Sequence, residues 1–270
     1  MNENYTTFSV LNSVLWGAAR GFILLPGEHP FDRVKAVMQA NEQGSLGVNQ
    51  TIRQLVKERG IWTLWEGIVP GIAKSVVKQG IRFPMILFIP PLFDSHIPKK
   101  WQETFPCLKN LSAGFAISFV ETTVLAPFDR RRVSKMTGGS LKESINSLFA
   151  GSKPYYARQA ISWATWLVCE EKFKQFAKKY TECEELSIYS LISVSMGISV
   201  VNTAVTLPPD RIKTLLQKPN PTLTKKLWPG LCHVVKTQGL RSLWVGWQLR
   251  LGHSVVSTLG TVYLLQKFRS

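Results

Sequence analysis

No two cysteines in this chain sit at a spacing that makes a disulfide framework or a zinc site. Cys107, Cys169, Cys183 and Cys232 are scattered over 270 residues and read as reduced packing thiols. His29, His96, His233 and His253 are equally without metal-ligand spacing. There is no phosphate-binding glycine loop and no nucleophile–base constellation, so no catalytic residue, metal or cofactor is expected. The opening stretch MNENYTTFSVLNSVLWG lacks a basic n-region and is not Arg-rich, so any address to an organelle is expected to be internal. Acids are scarce as well: 17 Asp plus Glu stand against 33 Lys plus Arg, a formal net charge of +16. Such an excess suits nucleic acid, an anionic lipid surface or an anionic solute. Here the cations recur along the whole chain instead of gathering into one basic stripe or module, which argues against nucleic acid.

With 45% hydrophobic residues the chain is apolar for its charge, which suggests apolar segments separated by basic loops. Leu186 to Pro209 carries no charge over 24 residues, long enough to span a bilayer. Leu251 to Gln266 is similar, with only His253 able to titrate. Leu111 to Phe128 is interrupted only by Glu121, and Tyr5 to Leu25 only by Arg20. Phe83 to Phe93 is a dense apolar run, and Tyr155 to Val168 a weaker one that carries Trp163 and Trp166.

Self-similarity organises these segments. PFDRVKAVMQ from Pro30, PFDRRRVSKM from Pro127 and PPDRIKTLLQ from Pro208 share the grammar Pro-x-Asp-x-x-basic, and their starts lie 97 and 81 residues apart. One copy is explained by a helix start with Asp in its first turn. Three copies, each after an apolar stretch, are not. A second landmark follows: Gly67 lies 37 residues after Pro30, Gly246 lies 38 after Pro208, and Gly151 only 24 after Pro127. Seven residues beyond these glycines stand Lys74, Arg158 and His253. Between the landmarks, Ile52, Leu55 and Val56 match Leu231, Val234 and Val235 at helical i, i+3, i+4 spacing. Ser140 to Glu143 reads as a capping box opening the equivalent middle helix. Each unit is therefore span, surface helix, span, over residues 1–100, 101–181 (shortened) and 182–270.

On these motifs the chain resembles the mitochondrial carrier family over nearly its whole length. The resemblance implies an all-α membrane protein of six transmembrane helices in three pseudo-threefold helix-pair repeats, with short amphipathic matrix-side helices. It implies one central site reached by alternating access, function as a monomer, and residence in the mitochondrial inner membrane without a cleaved presequence. Pro30, Pro127 and Pro208 would kink the first helix of each pair. A matrix gate would pair Asp32 with Arg132, Asp129 with Lys213 and Asp210 with Lys35, braced by Gln39 and Gln217, with Met136 in the middle unit. The opposite, cytoplasmic gate would keep one complete acid–base pair, Glu171 with Lys174, and so would open easily. Arg59 and Gln238 replace the family's acid before Gly60 and Gly239, and Glu66 and Val245 its base before Gly67 and Gly246, which weakens the elements that would hold cardiolipin.

The family's substrate contacts fall on Lys74, on Arg158 with Gln159 beside it, and on His253. Lys78 and Arg82 follow Lys74 on roughly the same helical face. Charges at midplane depth default to function or internal pairing, and Arg20 and Glu121 face the same choice. A pocket carrying Lys74, Lys78, Arg82 and Arg158 calls for a small anionic metabolite with more than one negative charge. In the family, Arg followed by Gln at the second contact goes with carboxylates and oxo acids. The alternatives are a nucleotide, with Trp163 or Tyr156 stacking a base, and a non-transporting, carrier-like membrane adaptor.

Overall fold

The computed structural model describes residues 3–41, 47–96, 107–139, 148–149, 151–181, 188–218 and 227–269, and every regular element among them is helical. In chain order the α-helices are α1 (Glu3–Ala40), α2 (Val48–Arg59), α3 (Ile68–His96), α4 (Cys107–Met136), α5 (Ser152–Thr181), α6 (Ile188–Gln217), α7 (Leu227–Gln238) and α8 (Trp247–Arg269), with 3-10 turns at Ile61–Trp65 and Leu240–Trp244. The six long helices form three consecutive pairs, α1 with α3, α4 with α5, and α6 with α8. Each long helix packs on its neighbour in the chain, and α8 returns to α1, so the six close into a ring. The first helices of the pairs, α1, α4 and α6, also touch one another across the middle.

The short helices α2 and α7 lie along one end of this ring. Leu55 of α2 is buried with Val34 and Met38 of α1, with Val245 just before α8 and with Leu249 in its first turn, and Ile52 packs against them. Val234 of α7 is buried with Ile212, Leu215 and Leu216 of α6. The capping box at Ser140 to Glu143 lies outside the described residues.

Among the described residues, composition alone makes Leu111–Met136 and Ile192–Gln217 long and apolar enough to cross a membrane. The other spans carry charges on their inner faces, which lowers their hydropathy. Their outer faces are apolar: Phe22, Phe88, Phe119, Phe176 and Leu259 are all exposed and none lines the central cavity. An apolar outside around a charged inside fits hydrocarbon surroundings.

The motif prolines lie inside continuous helices. A proline in a helix removes the donor for the carbonyl four residues earlier. For Pro30 that carbonyl belongs to Pro26, and the indole N–H of Trp65 donates to it at 2.9 Å. For Pro208 it belongs to Ala204, and Trp244 donates to it at 2.8 Å. Each tryptophan sits two residues before its landmark glycine, so the two repeated signals are joined by a hydrogen bond. The middle unit has Phe149 at that position and no indole to offer.

Candidate functional site

The landmark glycines place the second helix of each pair against the first helix of another unit. Gly67, Gly151 and Gly246 adopt positive φ of 88°, 74° and 83°, a turn that other residues rarely enter. They are also pressed close. A Cβ on Gly67 would lie 3.3 Å from the Arg132 carbonyl, one on Gly151 2.9 Å from Gln217 Cγ, and one on Gly246 2.9 Å from Lys35 Cγ. Unit one thus leans on unit two, two on three, and three on one.

That cyclic order brings the three motif aspartates together at the floor of the ring. Arg132 Nη2 lies 2.6 Å from Asp32, Lys213 Nζ 2.7 Å from Asp129, and Lys35 Nζ 2.5 Å from Asp210. Asp129 and Asp210 are buried. Each aspartate also meets a second base, from the position seven past a landmark glycine. Lys74 Nζ donates to Asp129, Arg158 Nε lies 3.2 Å from Asp210, and His253 Nε2 lies 3.6 Å from Asp32 and equally from Glu28. Every acid of the floor is therefore shared between one base from a first helix and one from a second helix. Buried charges need this sharing, because an unpaired ion in a low-dielectric site is expensive. The Tyr155 ring is buried between two of the cations, 4.7 Å from Lys213 Nζ and 5.5 Å from Lys74 Nζ, and adds cation–π attraction.

Above the floor lies a cavity of about 280 Å³. Lys74, Lys78, Arg158, Gln159 and His253 line it, together with Arg20, Glu28 and Arg250. Its walls and floor carry eight Lys or Arg side chains against four carboxylates, so an excess of positive charge faces the opening. Gln159 accepts from Arg158 Nη1 at 3.1 Å and so steadies that guanidinium. Arg20 donates to the hydroxyls of Thr261 and Ser257 at 2.7 and 2.8 Å, tying α1 to α8.

The structure gives several of the expected site residues other neighbours. Arg82 does not line the cavity. Its guanidinium lies 3.8 Å from Glu121 and 4.8 Å from the Trp163 ring centre, because Glu121 is wholly buried and draws both Arg82 and Lys78, the latter at 3.9 Å. The two bracing glutamines differ in their surroundings, and Gln39 lines the base of the cavity. Gln39 accepts from Thr214 at 3.0 Å, and Gln217 is fully buried without a hydrogen-bond partner among the described residues. Neither aromatic expected to stack a base is available. Trp163 is buried and donates to Glu121 at 3.2 Å, while Tyr156 stacks on Phe119 and pairs with the Thr123 hydroxyl at 2.6 Å. The side chains of Glu171 and Lys174 lie outside the described residues.

Sequence reasoning missed three things. The arginine after each motif aspartate was visible in all three copies. Arg33, Arg130 and Arg211 are buried and anchor the floor to its surroundings: Arg33 binds Glu66 at 2.7 Å, Arg211 donates to the Ser242 carbonyl, and Arg130 donates to carbonyls of Leu216 and Lys218. The reversed charges at Arg59 and Glu66 proved to be a swapped pair, 3.4 Å apart, which keeps the contact with its signs exchanged. Tyr155 and Arg250, both four residues past a landmark glycine, carried no signal because their chemistry differs from unit to unit.

A ring of six helices with an apolar exterior, a charged central cavity and an ion-paired floor defines a helical membrane transport protein. The model of the family described as mitochondrial carrier protein matches residues 6–93 and 184–270, the first and third units, and the chain belongs to that family. Among its relatives, the tricarboxylate transport protein of Saccharomyces cerevisiae is 24% identical over 92% of this chain and 90% of its own length. The mitochondrial thiamine pyrophosphate carrier 1 of Kluyveromyces lactis is 22% identical over 97% and 91%. The mitochondrial dicarboxylate transporter of Candida glabrata is 26% identical over 74% of each chain. The protein is a transporter of small metabolites and not an enzyme.

Proposed function

We propose that this carrier moves a small anion with two or more negative charges, a carboxylate or oxo acid, across the mitochondrial inner membrane by alternating access. The observation that carries the reading is the shared floor. The contact residues Lys74, Arg158 and His253 each lean on a motif aspartate that a gate base also holds. An incoming anion competes with the aspartates for those contact residues. Once it takes them, each acid keeps one base instead of two, and the floor weakens. A neutral or cationic solute gains nothing from such a site. Coupling of this kind needs the substrate to bind the open floor more tightly than the closed one, since equal affinity shifts no equilibrium.

In this reading the chain works as a single carrier unit with unit boundaries near residues 100 and 181, and as a monomer. Membrane lipid is its surroundings rather than a partner at the degenerate cardiolipin elements. Relatives named for tricarboxylate and dicarboxylate transport support the carboxylate class, and the loss of Trp163 and Tyr156 as stacking partners removes the main support for a nucleotide. The intact acid–base floor speaks against a non-transporting adaptor.

A thermal-shift screen of the purified protein against carboxylates and nucleotides tests this. A true substrate at a hundred times its Kd stabilises the protein by about 2.7 kcal/mol. Carboxylates are expected to raise the melting temperature. Stabilisation by nucleotides alone overturns the substrate class, and no stabilisation with no uptake into liposomes overturns transport in favour of the adaptor.

A further inference from the structure

A second cavity adjoins the central one at Arg250. This lobe of about 250 Å³ lies between α5, α6 and α8, and Arg250 lines both it and the central cavity. Arg250 stands four residues past its landmark glycine, where the other units have Gly71 and Tyr155. Those two serve the floor: Gly71 leaves room for Arg132, whose Nε lies 3.4 Å from where a Cβ would stand, and Tyr155 covers Lys74 and Lys213. Arg250 does neither. Lys35, Lys74, Arg132, Arg158 and Lys213 each lie against an aspartate, whereas the Arg250 guanidinium has no ion-pair or hydrogen-bond partner among the described residues.

The lobe itself is hydroxylic. Ser195, Ser199 and Thr203 follow one another at i, i+4, i+8 on α6, and Arg250, Ser254 and Thr258 do the same on α8, so two stripes face each other. Hydroxyls in a membrane helix ordinarily bond back to the carbonyl four residues earlier. Ser193, Thr206 and Thr261 on these same helices do so, at 3.0, 2.6 and 2.6 Å, and within the lobe Ser254 does so at 3.1 Å. The hydroxyls of Ser195, Ser199, Thr203 and Thr258 have no hydrogen bond among the described residues, and all four line the lobe.

We propose that this lobe is a second substrate subsite, in which Arg250 receives an anionic group and the facing hydroxyl stripes hydrogen-bond hydroxyl groups on the substrate. The preferred substrate is then a hydroxylated polyanion of the hydroxy-carboxylate class, not a bare saturated or oxo acid. The inference rests on the anion-carrier reading and narrows it. A substrate hydroxyl reproduces the hydrogen bonds of the water it displaces from the stripes, while an analogue without it leaves those groups unmatched.

Matched acids test it on the full chain, by thermal shift in detergent and by uptake into liposomes. Citrate is compared with tricarballylate and malate with succinate, pairs that differ by one hydroxyl. The wild type is expected to prefer the hydroxylated member by roughly tenfold or more in apparent affinity. Arg250→Gln is expected to weaken all four acids by roughly tenfold or more, and Arg250→Lys, which keeps the charge, to recover part of that loss. Ser199→Ala with Thr203→Val is expected to collapse the preference within each pair. Equal response to both members in the wild type, or wild-type affinity in Arg250→Gln with an unchanged unliganded melting temperature, overturns the subsite and leaves the carrier reading standing. Failure of every acid to stabilise or enter liposomes overturns the anion-carrier reading and the subsite with it.

Discussion

Asp129 is held by Lys213 and Lys74, which come from different helices, and it is almost entirely buried. Asp129→Asn strands two cations at once in a site water scarcely reaches. Removing one partner of a buried ion pair costs about 3–5 kcal/mol, so a clear drop in melting temperature and loss of uptake are expected. A melting temperature within a degree of wild type would show that neither ion pair at Asp129 contributes to stability. The i, i+3 spacing of acid and base was legible in the sequence because a helix puts both on one face. The sharing with Lys74 was not, since that pair spans 55 positions and no local pattern links them.

At the scale of elements, the prolines and the tryptophans form one device. Trp65 and Trp244 supply the N–H that Pro30 and Pro208 took from the Pro26 and Ala204 carbonyls. Leaving such a carbonyl unsatisfied costs about 1–3 kcal/mol, and hydrocarbon offers no replacement donor. Trp65→Phe and Trp244→Phe are expected to lower thermal stability in detergent by that order, whereas Phe149→Leu in the middle unit, where no indole donor exists, is expected to leave the proline carbonyl's bonding unchanged. Gly246→Ala is expected to be harsher than either. Its positive φ costs a side chain about 1–2 kcal/mol, and the new methyl collides with Lys35 of the floor. Circular-dichroism melting of the purified variants reads all of these. The helices, their prolines and their glycines were legible from residue chemistry; the bond between the two landmarks was not, because it joins elements 39 and 40 residues apart.

At the scale of the whole molecule, a simple ring of three ion pairs and the doubly occupied floor make opposite forecasts for a charge swap. Exchanging one pair, Lys35→Asp with Asp210→Lys, restores attraction in a simple ring. Here the new lysine at 210 would face Arg158, which lies 3.2 Å from the aspartate it replaces, and Lys213, 3.8 Å away. Uptake by the double variant is therefore expected to stay as low as in Asp210→Lys alone. Recovery to near wild-type uptake would mean that Arg158 is no partner of the floor in the working protein.

The sequence by itself determined the number of units, their order, the helix pairs and the three acids with their neighbouring bases. Those features rest on local chemistry: helical period, the missing N–H of proline, and the backbone freedom of glycine. Only the tertiary structure decided that each acid serves two bases, that Arg82 turns to Glu121, that Trp163 and Tyr156 are already engaged, and that Arg250 stands open beside a hydroxyl-lined lobe. These depend on which helix faces come together across the ring. Packing between segments far apart in the chain settles that, and the spacing of residues along one helix does not encode it.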